Sequence, residues 1–134
     1  MEAVVTGGCG FIGSHLVHAL VGRGEKVTVI DNLTTGSEAN IAGLLKARRA
    51  VLRKADLLSE GWEDAVEVVP VVYHLAADSD VGASSVHPEK VVRNNILATG
   101  RVLEAMRRHD VPGIVFTSTS TVYGEASVIP TPED

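Results

Sequence analysis

The chain has 134 residues, which fits one compact domain and leaves little room for a second, and 45% of them are hydrophobic, enough for a packed core. Aromatics make up only 4%, so the core must be built from Val, Leu, Ile and Ala. A formal net charge of -5 disfavours nucleic acid and anionic membrane surfaces as partners, and a lone cysteine, Cys9, excludes an internal disulfide and suits a reducing cytoplasm.

Residues 3–6 (Ala-Val-Val-Thr) read as a buried strand that runs into Gly7-Gly8-Cys9-Gly10. From Phe11, apolar residues recur at Ile12, Leu16, Ala19 and Leu20, a helical face that stops near Gly22 and Gly24. Residues 27–30 (Val-Thr-Val-Ile) form a second strand, followed by a polar loop over 31–36. Ser37 can cap a short helix reaching about Leu45, and residues 50–54 read as a third strand. A weak helix is expected over 60–66. The fourth strand falls within 68–75, with Pro70 marking its beginning, because proline cannot donate to a central ladder. The apolar stretch over 68–77 is the longest in the chain and too short to cross a bilayer.

Pro88 opens a long helix to about Arg108, with Val91, Ile96, Leu97, Val102, Leu103 and Met106 expected on its buried face. Arg107 and Arg108 in its last turn complement the helix dipole. Residues 114–118 (Ile-Val-Phe-Thr-Ser) are a fifth strand. Strands that alternate with helices over short links predict an α/β fold. The expected sheet is doubly wound and parallel, of order 3-2-1-4-5, the Rossmann arrangement without its usual sixth strand.

Gly7-x-x-Gly10-x-x-Gly13 sits where the first strand gives way to the first helix. One glycine permits the tight turn, the next lets backbone approach a pyrophosphate, and the third lets helix and strand pack closely. Free N–H groups at the helix start, helped by its dipole, then hold the negative charge. Asp31 follows the second strand, 18 positions beyond Gly13. A carboxylate there accepts hydrogen bonds from adenosine ribose hydroxyls and repels a 2′-phosphate, so the pattern predicts NAD rather than NADP.

The run Thr6-Gly7-Gly8-Cys9-Gly10-Phe11-Ile12-Gly13-Ser14-His15-Leu16 resembles the opening of extended short-chain dehydrogenases of the NAD-dependent epimerase/dehydratase family. Further elements of that family's pattern follow in order. They are Asp31-Asn32-Leu33, Asp56-Leu57, His74-Leu75-Ala76-Ala77, Asn94-Asn95 and residues 118–124 (Ser-Thr-Ser-Thr-Val-Tyr-Gly). The resemblance covers the whole chain and implies a bound NAD. Phe11 and Ile12 are then expected against the pyrophosphate, while Asp31, Asn32, Leu33, Thr34, Thr35 and Gly36 wrap the adenosine ribose. Asp56 and Leu57 meet the adenine. Leu75, Ala76, Ala77, Asp78 and Ser79 line the nicotinamide half, with Asn94 buttressing that loop from the long helix. Thr119 falls at the family's catalytic serine or threonine; the residues alone give it no preference over Ser118 or Ser120.

The family's base is a tyrosine in Tyr-x-x-x-Lys, and neither tyrosine here fits: Tyr73 is followed four positions on by Ala77, and Tyr123 by Ser127. The resemblance therefore implies that residues 1–134 are an incomplete NAD-binding domain, with the catalytic pair and a sugar-nucleotide domain further on. The expected parent is a nucleotide-sugar 4-epimerase, UDP-glucose and UDP-galactose being the leading substrates, that dimerises through the long helix. A sugar-nucleotide dehydratase or uronate decarboxylase of the same family is the nearest rival. A non-catalytic NAD-sensing module is a rival of another kind. His15 and His18, three apart on the first helix, lack a carboxylate or cysteine to complete a metal site. His74 reads as a hydrogen-bonded structural residue, and Asp78 and Asp80 as loop residues.

Overall fold

Every strand found in the sequence pairs with its neighbours in parallel, in the order β3-β2-β1-β4-β5. The computed structural model describes residues 2–125 and 127–132. Met1, Ala126, Glu133 and Asp134, and with them the end of the Pro-Thr-Pro-Glu-Asp segment, lie outside the described residues. In chain order the strands are β1 (Glu2–Thr6), β2 (Lys26–Asp31), β3 (Ala50–Lys54), β4 (Val71–His74) and β5 (Gly113–Phe116). The helices are α1 (Phe11–Gly22), α2 (Ala42–Lys46), α3 (Val81–Val86), α4 (Pro88–Val91) and α5 (Ala98–Arg108).

β1 lies at the centre, Val4 pairing with Thr28 on one side and Val72 on the other. Because both faces of a doubly wound sheet are covered, β1 reads as an unbroken apolar run rather than an alternation. Val4, Ile30 and Val72 face one cluster, which contains Trp62, Val66, Val102, Ala105 and Met106. Ala3, Val5, Val27 and Val29 face the other, with Val17, Leu20, Val21 and Ile41. At roughly 1.5–3 kcal/mol for each fully buried aliphatic side chain, these two layers carry the fold.

The differences from expectation are local. β4 starts at Val71, directly after the Pro70 expected to mark its beginning, and Val68 lies outside it, exposed and held at φ 64, a conformation a β-branched residue adopts only under constraint. β5 ends at Phe116, two residues early. The weak helix over 60–66 is a single 3-10 turn, Glu63–Val66, and the helix capped by Ser37 begins as a 3-10 turn, Glu38–Ile41, before α2. α3 occupies a stretch to which the residue pattern assigns no element.

The long helix is continuous but contains a π turn at Val92–Leu97 between α4 and α5. The wider turn breaks the 3.6-residue period, and this corrects the expected buried face. Ala98, Val102, Ala105 and Met106 are buried, whereas Ile96, Leu97 and Leu103 are about half exposed or more.

Candidate functional site

The glycine turn is built by hydrogen bonds that spend its backbone groups in order. Gly7 N–H donates to Ile30 O (2.9 Å), Gly10 N–H to Gly7 O (3.1 Å) and Ser14 N–H to Gly10 O (3.0 Å). Gly7 sits at φ 69, and a Cβ there would come within 2.7 Å of Ala76 N. A Cβ on Gly13 would lie 2.1 Å from Gly7 O, so only glycine lets α1 start this close to β1. Gly10 caps α1 with no side-chain hydrogen bond, and the first turn holds no acidic residue. The N–H groups of Phe11, Ile12 and Gly13 therefore open α1 without an intrahelical or side-chain acceptor, and Phe11 and Ile12 are exposed.

Asp31 closes the other wall. Its side chain is almost wholly buried, and each carboxylate oxygen takes a backbone donor: Oδ2 from Cys9 N–H (2.9 Å) and Oδ1 from Leu33 N–H (2.8 Å). Cys9 is pinned from the far side as well, its carbonyl accepting from Ser37 N–H (3.0 Å) and Asn40 Nδ2 (2.8 Å). Burial, with the Asp31 and Glu38 carboxylates nearby, pushes the Cys9 thiol up to about 11. Thr34 N–H donates to Asn32 Oδ1 (3.0 Å), which folds the loop after β2 back on itself.

These groups surround a cleft of about 540 Å³ at the carboxyl ends of the strands. Gly7, Gly10, Phe11, Ile12 and Gly13 line it beside Asp31, Asn32, Thr34, Thr35 and Gly36. Asp56 and Leu57 line the end beyond β3, and Leu75, Ala76, Ala77, Asp78, Ser79 and Asn94 the end beyond β4. Two expected residues stand apart. Leu33 packs against the cluster under α1, so only its backbone serves the loop. Thr119 is exposed and caps the 3-10 turn Ser120–Tyr123, accepting from Thr121 N–H (3.3 Å), while Thr117 and Ser118 reach the cleft wall.

The sequence pattern assigns no site role to Ile30, Ala55, Lys90, Ala98 and Thr117, which also line that wall. Lys90 Nζ pairs with Asp78 Oδ2 at 3.0 Å, and this ammonium is the main cause holding the Asp78 carboxyl below its ordinary value, with Asn94 adding a hydrogen bond. The loop is gripped chiefly by Asn95, not Asn94: Oδ1 accepts from Asp78 N–H (2.7 Å) and Nδ2 donates to Asp78 O (2.9 Å). Nothing in the sequence announced a π turn, which lets two successive asparagines serve the same loop.

The fold and its cleft define a doubly wound α/β domain of the Rossmann kind, whose ligand crevice opens where the strand order reverses. Residues 3–134 match the NAD dependent epimerase/dehydratase family, and the chain belongs to it. A UDP-glucose 4-epimerase of Corynebacterium glutamicum is 38% identical over 140 residues, a match that covers the whole chain and 40% of that protein. UDP-glucuronic acid decarboxylase 1 of Arabidopsis thaliana is also 38% identical, over 93% of the chain and 28% of its own length. Among solved structures, UDP-glucose 4-epimerase from Bifidobacterium longum in complex with NAD+ and UDP superposes with a TM-score of 0.89 at 29% identity, over 100% of this chain and 42% of that one. The chain thus spans about 40% of the length of the epimerases it matches. Among the described residues, no helix is long and apolar enough to cross a membrane.

Proposed function

We propose that this chain is the NAD-binding part of a nucleotide-sugar 4-epimerase, with UDP-glucose and UDP-galactose as the substrate pair. The observation that carries the reading is the pairing of an uncapped helix mouth with a buried carboxylate across one cleft. The Phe11, Ile12 and Gly13 amides hold a diphosphate without any side-chain cation. Asp31, whose oxygens each keep a second lone pair, accepts from the ribose hydroxyls and opposes a 2′-phosphate. Asp56, at the end of β3, accepts from the adenine amino group, and the small side chains of Ala76 and Ala77 let the loop approach the nicotinamide half.

When bound, NAD supplies the acceptor and later the donor of a hydride at the sugar C4. The chain's contribution there, carried over from the family's pattern, is the hydroxyl of Thr119, which would have to leave its cap on the Ser120–Tyr123 turn to hydrogen-bond the reacting sugar oxygen and stabilise charge as it develops. Removal of the hydroxyl proton falls to a tyrosine in Tyr-x-x-x-Lys, which residues 1–134 do not contain, so residues 1–134 alone turn over no sugar. The similarity to a decarboxylase keeps one sister reaction open, since it needs the same coenzyme site.

Calorimetry on the intact protein tests the core of this reading. NAD+ is expected to bind and NADP+ to bind at least about tenfold more weakly, a difference of about 1.4 kcal/mol. Absence of NAD+ binding, or equal affinity for both, refutes it. Interconversion of UDP-glucose and UDP-galactose, measured against UDP-glucuronate decarboxylation, then separates the two sister activities.

A further inference from the structure

His74 ends β4 with its ring buried at the junction of three elements. Nδ1 lies 2.6 Å from Thr6 Oγ1, and Nε2 lies 2.9 Å from Thr99 Oγ1. Thr6 Oγ1 also accepts from Leu75 N–H and Ala76 N–H, each at 3.2 Å. A hydroxyl has two acceptor positions and one proton, so that proton must go to His74 Nδ1. The ring is therefore neutral, bare at Nδ1 and protonated at Nε2. Nε2–H donates to Thr99 Oγ1, and the Thr99 hydroxyl donates to Asn95 O at 2.7 Å. Asn95 in turn clamps Asp78 by both its backbone groups. The ring also stacks on Phe116, with centroids 5.8 Å apart, and the His74 carbonyl accepts from Thr117 N–H at 3.1 Å.

We propose that His74 is a positioning residue for the cleft. In its Nε2–H tautomer it fixes the loop over 75–78 between β1 and the π turn, and its protonation releases that loop. A proton on Nδ1 would point at Thr6 Oγ1, whose acceptor positions are both taken, so Leu75 or Ala76 N–H must be let go. Any shift of Ala76 is felt at Gly7, where the two backbones are close enough to exclude a Cβ. The ring meets hydroxyls from β1 and α5 and a phenyl ring from β5, and burial is what holds its pKa below the ordinary 6.5. The binding half of this proposal rests on the coenzyme reading above; the tautomer does not.

Two measurements on the intact protein test it. Nitrogen NMR of labelled histidine is expected to show His74 bare at Nδ1 and still neutral below the ordinary 6.5. A proton on Nδ1 at neutral pH overturns the proposal. NADH titrations of the native protein, His74→Asn and His74→Gln from pH 8 to pH 5 form the second arm. The asparagine oxygen replaces Nδ1 as acceptor for Thr6, so this variant is expected to bind within about threefold of native and to lose the native decline in affinity at low pH. The glutamine amide reaches toward Thr99 and abandons Thr6, which predicts roughly tenfold weaker binding at neutral pH. Equal affinities and one shared pH profile overturn the proposal while leaving the coenzyme reading standing. A native protein that binds no NADH at any pH overturns the coenzyme reading and the binding half together; the NMR result then decides the tautomer alone.

Discussion

Replacing Asp31 with alanine should destabilise the protein before any ligand is added. The carboxylate is only 8% exposed, so water screens its contacts little. It accepts from Cys9 N–H at 2.9 Å and from Leu33 N–H at 2.8 Å, and alanine leaves the buried Cys9 amide without its acceptor. At about 1.5 kcal/mol for each hydrogen bond to a charged group, the loss is about 3 kcal/mol. With a urea dependence of about 1.5 kcal/mol per molar for a domain of this size, the unfolding midpoint should fall by about 2 M. Asp31→Asn keeps one accepting oxygen and turns an amide N–H toward a backbone donor, so it should fall between the two. A carboxylate that serves only the ribose would leave ligand-free stability unchanged. An alanine variant melting within about 0.3 M of the native midpoint would therefore refute the double role.

The glycine turn makes opposite predictions at two sites on one helix. Gly13→Ala should give no soluble folded protein, since its Cβ would sit 2.1 Å from Gly7 O, whereas Gly22→Ala meets nothing within 4 Å and should raise stability by up to about 1 kcal/mol in a thermal melt. Cys9, buried and raised to about 11, should carry only about one thiolate in a thousand at pH 8 and resist an aromatic disulfide reagent until urea unfolds the chain. His74 has a lowered pKa in the folded state, so the unfolded chain takes up its proton first. That contribution is complete above pH 6.5 and is lost as the pH falls below it; His74→Asn should remove this step from a plot of stability against pH. Finally, NADH affinity should not weaken as sodium chloride rises from about 0.05 to about 0.5 M; a tenfold loss would mean that a side-chain cation carries the phosphates.

The sheet was legible because parallel strands buried on both faces leave short apolar runs such as Ala3-Val4-Val5, which the flanking glycines Gly7 and Gly8 mark as too short for a helix. The glycine turn was legible because its glycines answer to sterics that nothing else satisfies. What escaped was set by tertiary contact. The exposure of Ile96, Leu97 and Leu103 goes with the π turn at Val92–Leu97, which the residue pattern of the helix does not encode. Thr6, Thr99 and Asn95 are ordinary polar residues in sequence and become one network only when β1, β4 and α5 meet at His74. Lys90 reaches the cleft because α4 ends beside Asp78, a juxtaposition across twelve positions that periodicity does not encode.

The charges around the cleft explain why the turn must be built as it is. The described residues lining it include Asp31, Asp56, Asp78 and Asp80 against a single ammonium, Lys90, which is already paired with Asp78. A diphosphate entering such a wall gains nothing from net Coulomb attraction. Its binding has to come from short-range donors that carry no formal charge, the amides at the head of α1. Those amides work only at contact distance, which requires that no Cβ stand between backbone and ligand, and the fixed spacing of Gly7, Gly10 and Gly13 meets that condition. The same acidity would discriminate: a ligand with one more phosphate beside Asp31 would add repulsion that no lysine or arginine on this wall offsets, while ribose hydroxyls would meet acceptors. On the proposed coenzyme reading, selectivity and anion binding therefore come from one arrangement, in which dipoles attract the diphosphate and carboxylates reject further negative charge.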